Sequence, residues 1–115
     1  MQSNQREREL SAVIDGLEME LRRARLWEPE PPSEHLLESP QPFCVDTLAL
    51  SQWLQWLLIP RMRRILAGDG RLPTHSAIGP YAADCFEHLD GGAALLVLIE
   101  RLDGLIRHQA GAMTQ

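Results

Sequence analysis

Between Leu48 and Ala67 the chain reads LALSQWLQWLLIPRMRRILA, and no wide polar face can be drawn on it. At about 100° per residue, Leu50, Leu54, Leu57, Leu58 and Ile65 fill one side of a helix. Met62 and Leu66 occupy another side, and Trp56 with Ile59 a third. A helix that is apolar nearly all round belongs at the centre of a helical domain. The pattern therefore predicts that Leu54, Leu57 and Leu58 are almost inaccessible, with Leu57→Ala costing about 2–5 kcal/mol. Pro60 removes one backbone hydrogen bond, which predicts a kink between Trp56 and Pro60. Asp46 or Thr47 is placed to cap the start. A membrane span is excluded, because Asp46 and Pro60-Arg61 close the run short of the roughly 18 apolar residues required.

Three further helices surround this one in the sequence reading. From Asn4 to about Trp27, Leu10, Ile14, Leu17, Leu21 and Ala24 repeat at four–three spacing and make one narrow stripe, with Val13 beside it. Asn4 and Glu7 have the spacing of a capping box. The stripe must be buried, either on its own chain or against a second copy or another protein. Five of the eight prolines then fall between residues 29 and 42, so residues 28–42 form an extended arm with Leu36 and Leu37 as its anchor. Such an arm either wraps the body or serves as a proline-rich ligand for another protein. After the glycine-containing loop at 67–79, a helix over about 80–89 gathers Tyr81, Ala82, Cys85, Phe86 and Leu89 on one face. A break at Asp90-Gly91-Gly92 leads to a last helix over about 93–108, striped by Leu95, Leu98, Ile99, Leu102, Leu105 and Ile106. The expected fold is all-α. It is one domain over 1–115, an irregular antiparallel four-helix bundle around a buried, proline-kinked central helix spanning about 48–67.

The charge balance narrows the function classes. A net charge of −5 argues against general affinity for nucleic acid or anionic lipid. The start, MQSNQRERELSAV, lacks the apolar core of a secretory leader, which predicts a cytoplasmic protein with reduced thiols. No acid–base pair, nucleophile–base spacing or phosphate loop is present, and no cofactor is expected. Cys85 and His88 can share a helix face, but no second pair has ligand spacing, and His35, His75 and His108 are scattered. Arg101-Leu102-Asp103 repeats a triplet from the catalytic stretch of one group of pseudouridine synthases. Here it lies inside an amphipathic helix, with Arg101 and Asp103 read as pointing away from the buried stripe, and the chain is too short for that catalytic domain. Two arginine clusters, Arg22, Arg23, Arg25 and Arg61, Arg63, Arg64, fall near helix C-termini, where cations offset the dipole. Arg61 differs, since on an undistorted helix it faces the Leu54–Leu58–Ile65 side; a carboxylate partner is expected, Asp46 first and Asp84 second.

The block QPFCVDT followed by WLQWLLIPRM, with Trp27, the proline-rich arm, Leu72-Pro73 and Pro80-Tyr81, resembles the YqcC-like family of small bacterial proteins. Members of that family often carry the name tRNA pseudouridine synthase C, without that enzyme's catalytic domain. The resemblance implies an all-α fold of about this length and no established activity. Phe43, Asp46, Trp53, Gln55, Trp56, Pro60 and Arg61 match the family block, so Phe43, Asp46, Trp53, Gln55, Trp56 and Arg61 are the candidate interaction residues. The expected function is non-enzymatic, through protein contacts or self-association. One rival is an accessory to tRNA modification that binds the synthase or its RNA. The RNA form requires the two arginine clusters to merge beside an exposed aromatic. The other rival is a small-molecule carrier with a cavity lined by Trp53, Trp56 and Tyr81.

Overall fold

The computed structural model describes the backbone of residues 2–113 and the side chains of residues 5–107. Among the described residues the chain is all-α. Its helices are α1 (Gln2–Arg23), α2 (Leu50–Trp53), α3 (Ile59–Leu66), α4 (Gly79–Phe86) and α5 (Gly92–Met113). A π turn over Leu54–Leu58 joins α2 to α3 without a break. Two short 3-10 turns, Glu34–Glu38 and Pro42–Cys44, shape the proline-rich arm.

The core lies between α1 and α5, not around the interrupted helix. Leu10, Ile14, Leu17 and Leu21 on α1 and Leu95, Ile99 and Leu102 on α5 are all 0% exposed. The two helices run antiparallel: Glu9 pairs with Arg101 at one end, and Gly91 lies beside Ala24 at the other. α4 folds back on α5, and α3 packs antiparallel on the other side of α1, where Arg63 reaches Asp15 and Glu18. The α1 stripe is thus covered by its own chain. The interrupted helix has a full helical neighbour only in α1, so Leu54 is buried while Leu57 and Leu58 remain half-buried. The full core cost expected for Leu57→Ala belongs instead to Leu54.

Local chemistry sets the element boundaries. The backbone is already helical at Gln2, so Asn4 lies inside α1 rather than at its cap, and its side chain falls outside the described residues. α1 stops at Arg23, short of Trp27, because Arg25 takes a left-handed φ of 62°. Leu26 N–H then donates to Leu21 O and Arg25 N–H to Arg22 O, the paired bonds of a Schellman ending that usually needs glycine. α3 ends the same way with glycine at that position, Gly68 at φ 107°. Neither Asp46 nor Thr47 caps α2: Asp46 accepts from Ser39 Oγ, and Thr47 Oγ1 donates to Leu36 O. The first-turn Gln52 side chain instead accepts the Ala49 N–H at 2.8 Å.

Pro60 acts through the π turn. Its ring would press on the carbonyl four residues back, and it donates no hydrogen bond. Ile59 N–H donates to Leu54 O, five residues back, which widens the helix just where the ring must fit. Each residue in a wider turn advances by a smaller angle, so side chains beyond it are rotated from their undistorted positions. Arg61 is consequently exposed and has no ion pair among the described residues; neither Asp46 nor Asp84 is its partner.

Candidate functional site

The π turn holds the start of the arm in a clasp. Gln55 is 3% exposed, and its amide pairs twice with the backbone of Glu28. Glu28 N–H donates to Gln55 Oε1 at 2.8 Å, and Gln55 Nε2 donates to Glu28 O at 2.7 Å. A buried amide that satisfies both a donor and an acceptor of an irregular segment fixes that segment at little desolvation cost. The Glu28 carboxylate in turn accepts from Trp56 Nε1 at 3.0 Å and from Gln52 Nε2 at 3.2 Å. Three residues on one helical run, Gln52, Gln55 and Trp56, and one arm residue, Glu28, thereby form a single polar unit.

Beside this clasp lies an open groove of about 620 Å³. Trp27, Pro29, Trp56 and Pro60 supply flat apolar faces, with Arg22 and Arg63 also in the lining. The Arg22 guanidinium sits 4.6 Å above the Trp27 ring, a cation–π stack that holds both side chains. Glu18 bridges the two arginines, 2.9 Å from Arg22 Nε and 2.8 Å from Arg63, while Arg63 also reaches Asp15 at 3.1 Å. Burial alone would raise the Glu18 pKa, but the hydrogen bonds from Arg22 and Arg63 outweigh it and hold the carboxyl below the usual carboxylate range. The same opposition acts on Arg63: burial lowers its pKa, and the bonds to Glu18 and Asp15 leave it above the ordinary value. Of the two arginine clusters only Arg22 and Arg63 meet in the groove, and acidic partners already accompany both.

The remaining candidate residues lie elsewhere. Phe43 packs edge-on against Trp53 at 5.0 Å and stacks on Tyr81 at 5.3 Å, which fastens the arm to α2 and α4. Trp53 and Tyr81 therefore belong to an aromatic cluster, whereas the groove beside the clasp is lined by Trp56 and by neither of them. Burial and a hydrogen bond with Cys85 push the Tyr81 hydroxyl above its ordinary pKa. His88 is exposed and pairs with Glu87, while the side chain of His108 lies outside the described residues. Among the described residues no group of three or more His, Cys, Asp or Glu could hold a metal ion, and no helix is long and apolar enough to cross a membrane.

Asp103 corrects the sequence reading. It is 2% exposed and points inward, where it accepts from Ser76 Oγ at 2.5 Å, Ile78 N at 3.1 Å and Gly79 N at 2.7 Å. Its carboxylate supplies the acceptor that the first turn of α4 lacks in its own sequence, an N-cap delivered from another helix. Sequence reasoning missed Glu28 as a lining residue of the groove, Gln52 and Glu18 as the side chains that hold that lining in place, and Asp103 as a cap. A signal for Asp103 exists, since it falls four residues after Ile99 and three before Ile106, on the buried stripe itself.

Comparison with known proteins places this architecture. The profile of the DUF446 family, described as tRNA pseudouridine synthase C, matches residues 9–105. The chain is 37% identical over 99 residues to the uncharacterized protein YqcC of Escherichia coli, covering 84% of this chain and 90% of that one. It is 32% identical over 92 residues to an uncharacterized protein of Haemophilus influenzae, covering 80% and 87%. A match of 35% identity over 68 residues, 59% of this chain, covers only 18% of a Pectobacterium carotovorum protein named tRNA pseudouridine synthase C. The solution NMR structure of E. coli YqcC superposes with a TM-score of 0.74 at 33% identity, covering 88% of this chain and 87% of that one. With its sequence and its helical packing both matched over most of its length, the chain belongs to the DUF446 family of YqcC-like proteins.

Proposed function

We propose that this chain is a non-enzymatic helical protein that acts through protein contacts, with the groove beside the π turn as its contact surface. The observation that supports the reading is the composition of that groove. Two tryptophans and two prolines present rigid apolar faces, and Arg22 and Arg63 flank them. Tryptophan and arginine are enriched among the residues that dominate binding energy at protein interfaces, and here the stack of Arg22 on Trp27 orders both before any partner arrives. The groove contains no nucleophile beside a base, and Glu28, its one carboxylate, is occupied by Trp56 and Gln52. The test is photo-crosslinking from Pro29→benzoylphenylalanine in intact cells, with and without nuclease. A discrete, nuclease-resistant protein adduct that vanishes in Trp27→Ala is expected. Adducts to RNA alone would overturn the reading.

A second reading, an accessory to tRNA modification, draws on one specific observation. A relative of 59% of this chain occurs as 18% of a longer protein named tRNA pseudouridine synthase C. Segments joined in one chain in some organisms often meet as separate proteins in others, which makes such a synthase a candidate partner. Titration of the purified chain into the synthase from the same cells, followed by sedimentation, tests this; absence of a complex at micromolar concentration eliminates it. The purified chain alone should leave uridine-containing tRNA unchanged. Turnover abolished by Asp103→Asn would instead make it the enzyme.

A further inference from the structure

We infer that the groove takes the acidic, proline-rich arm of a second copy of this chain, so that two copies exchange arms about a two-fold axis. The inference rests on the groove being a protein-contact surface, as proposed above, and names its occupant.

The chemistry of groove and arm is complementary. Aromatic-lined grooves with flat faces bind polyproline-II segments, whose conformation is set before binding and so costs little to order. Residues 28–33 of this chain read EPEPPS, and the prolines at 29, 31 and 32 hold φ near −65°. Glu30, Pro31 and Ser33 are exposed. Arg22 commits only its Nε to Glu18; its two terminal nitrogens donate no hydrogen bond to a described residue. A cation stacked on Trp27 with free N–H groups is a prepared site for one carboxylate, which fits Glu30 of a second copy. Glu18, Asp15 and Glu28 balance the charge of Arg22 and Arg63, so the recognition is local, made by the unpaired terminal N–H groups of Arg22 rather than by a cationic surface.

The geometry supplies the symmetry. Glu28 and Pro29 line the groove, whereas residues 30–33 of the same arm leave it. Groove and ligand are therefore neighbours on one face, which is what a closed two-fold interface requires, since each copy must offer both halves of the contact side by side. The arm bends at Pro29 and Glu30 in this structure and takes polyproline-II dihedrals at Ser33; straightened, residues 30–33 span about 12 Å. Two such contacts fall at the small end of specific interfaces, so the dimer is weak and salt-sensitive.

Sedimentation equilibrium from micromolar to submillimolar concentration, at low and high salt, measures it. The parent should show a monomer–dimer equilibrium that weakens at high salt. Arg22→Glu and Glu30→Arg should each lose the dimer while keeping the helical circular dichroism, because each sets like charges together. An equimolar mixture of the two variants should regain it, since each arm then meets the opposite charge in the other copy's groove. A parent that stays monomeric throughout, a dimer untouched by both variants, or a mixture that stays monomeric would overturn the proposal. If the parent is monomeric but the crosslinked adduct forms with another protein, the contact-surface reading survives and only the occupant is wrong.

Discussion

Asp103→Ala isolates a single structural function whose size can be worked from the geometry. The carboxylate accepts three hydrogen bonds, one from a hydroxyl and two from backbone amides at the start of α4. Alanine leaves Ser76 Oγ, Ile78 N–H and Gly79 N–H without that acceptor. Ser76 and Ile78 are buried, so water replaces the lost bonds poorly, whereas Gly79 is only half-buried and recovers some. At about 1–3 kcal/mol for each stranded buried donor, with partial recovery at Gly79, the sum is about 3–5 kcal/mol. That is a large fraction of the roughly 5–15 kcal/mol that holds a domain together. Asp103→Asn keeps the volume and one acceptor oxygen but turns an NH2 toward an N–H and removes the charge facing the α4 dipole; about 2 kcal/mol is expected. Urea unfolding should show the midpoint fall at unchanged slope, and amide exchange should accelerate first in α4. A loss below about 1 kcal/mol for Asp103→Ala would refute the capping account.

Three other substitutions probe the remaining contacts. Leu17→Glu places a charge at a site with 0% exposure, so circular dichroism should report unfolding rather than release of a partner. Gly92→Ala should destabilise by about 1–3 kcal/mol in thermal melts, since a Cβ there would overlap the Phe86 carbonyl oxygen where α4 turns into α5. Glu18→Gln should cost no more than about 1 kcal/mol at pH 7, because both arginines are partly exposed. The folded pKa of Glu18 is lowered, so its contribution is present above the unfolded value of about 4.3 and fades as pH falls through the folded value; parent and variant melts should converge there.

The helical class was readable because apolar spacing at three and four residues is dense in every segment that became helical. The identity of the central element was not. Residues 48–67 have no wide polar face, but Trp53 and Trp56 turn their rings toward the arm, and aromatic bulk counts as core in any periodicity plot. The α1 stripe is narrower yet lies between two other helices. Arg25 shows the limit at boundaries: a left-handed arginine carries no local mark of a helix end, whereas Gly68 does. Arg61 was misplaced because the π turn alters the angular register between Leu54 and Pro60, and proline alone does not reveal whether a helix bends or widens. Among the groove residues, Gln55 and Trp56 were found through the family block. Their partner Glu28 was not, since a side chain that pairs with a backbone 27 residues away leaves no spacing to read.

The pairing of α1 with α5 also bears on how the chain is made. The apolar stripe around Leu17 finds its main cover in residues near Ile99, about 80 positions later. At roughly 5–20 residues per second of translation, that face waits on the order of 4–16 s for α5 to be synthesised. Only α3 can shield part of it in the interval. A nascent chain of this protein therefore carries a strongly amphipathic helix without its main cover until α5 has emerged, and the core closes late in synthesis.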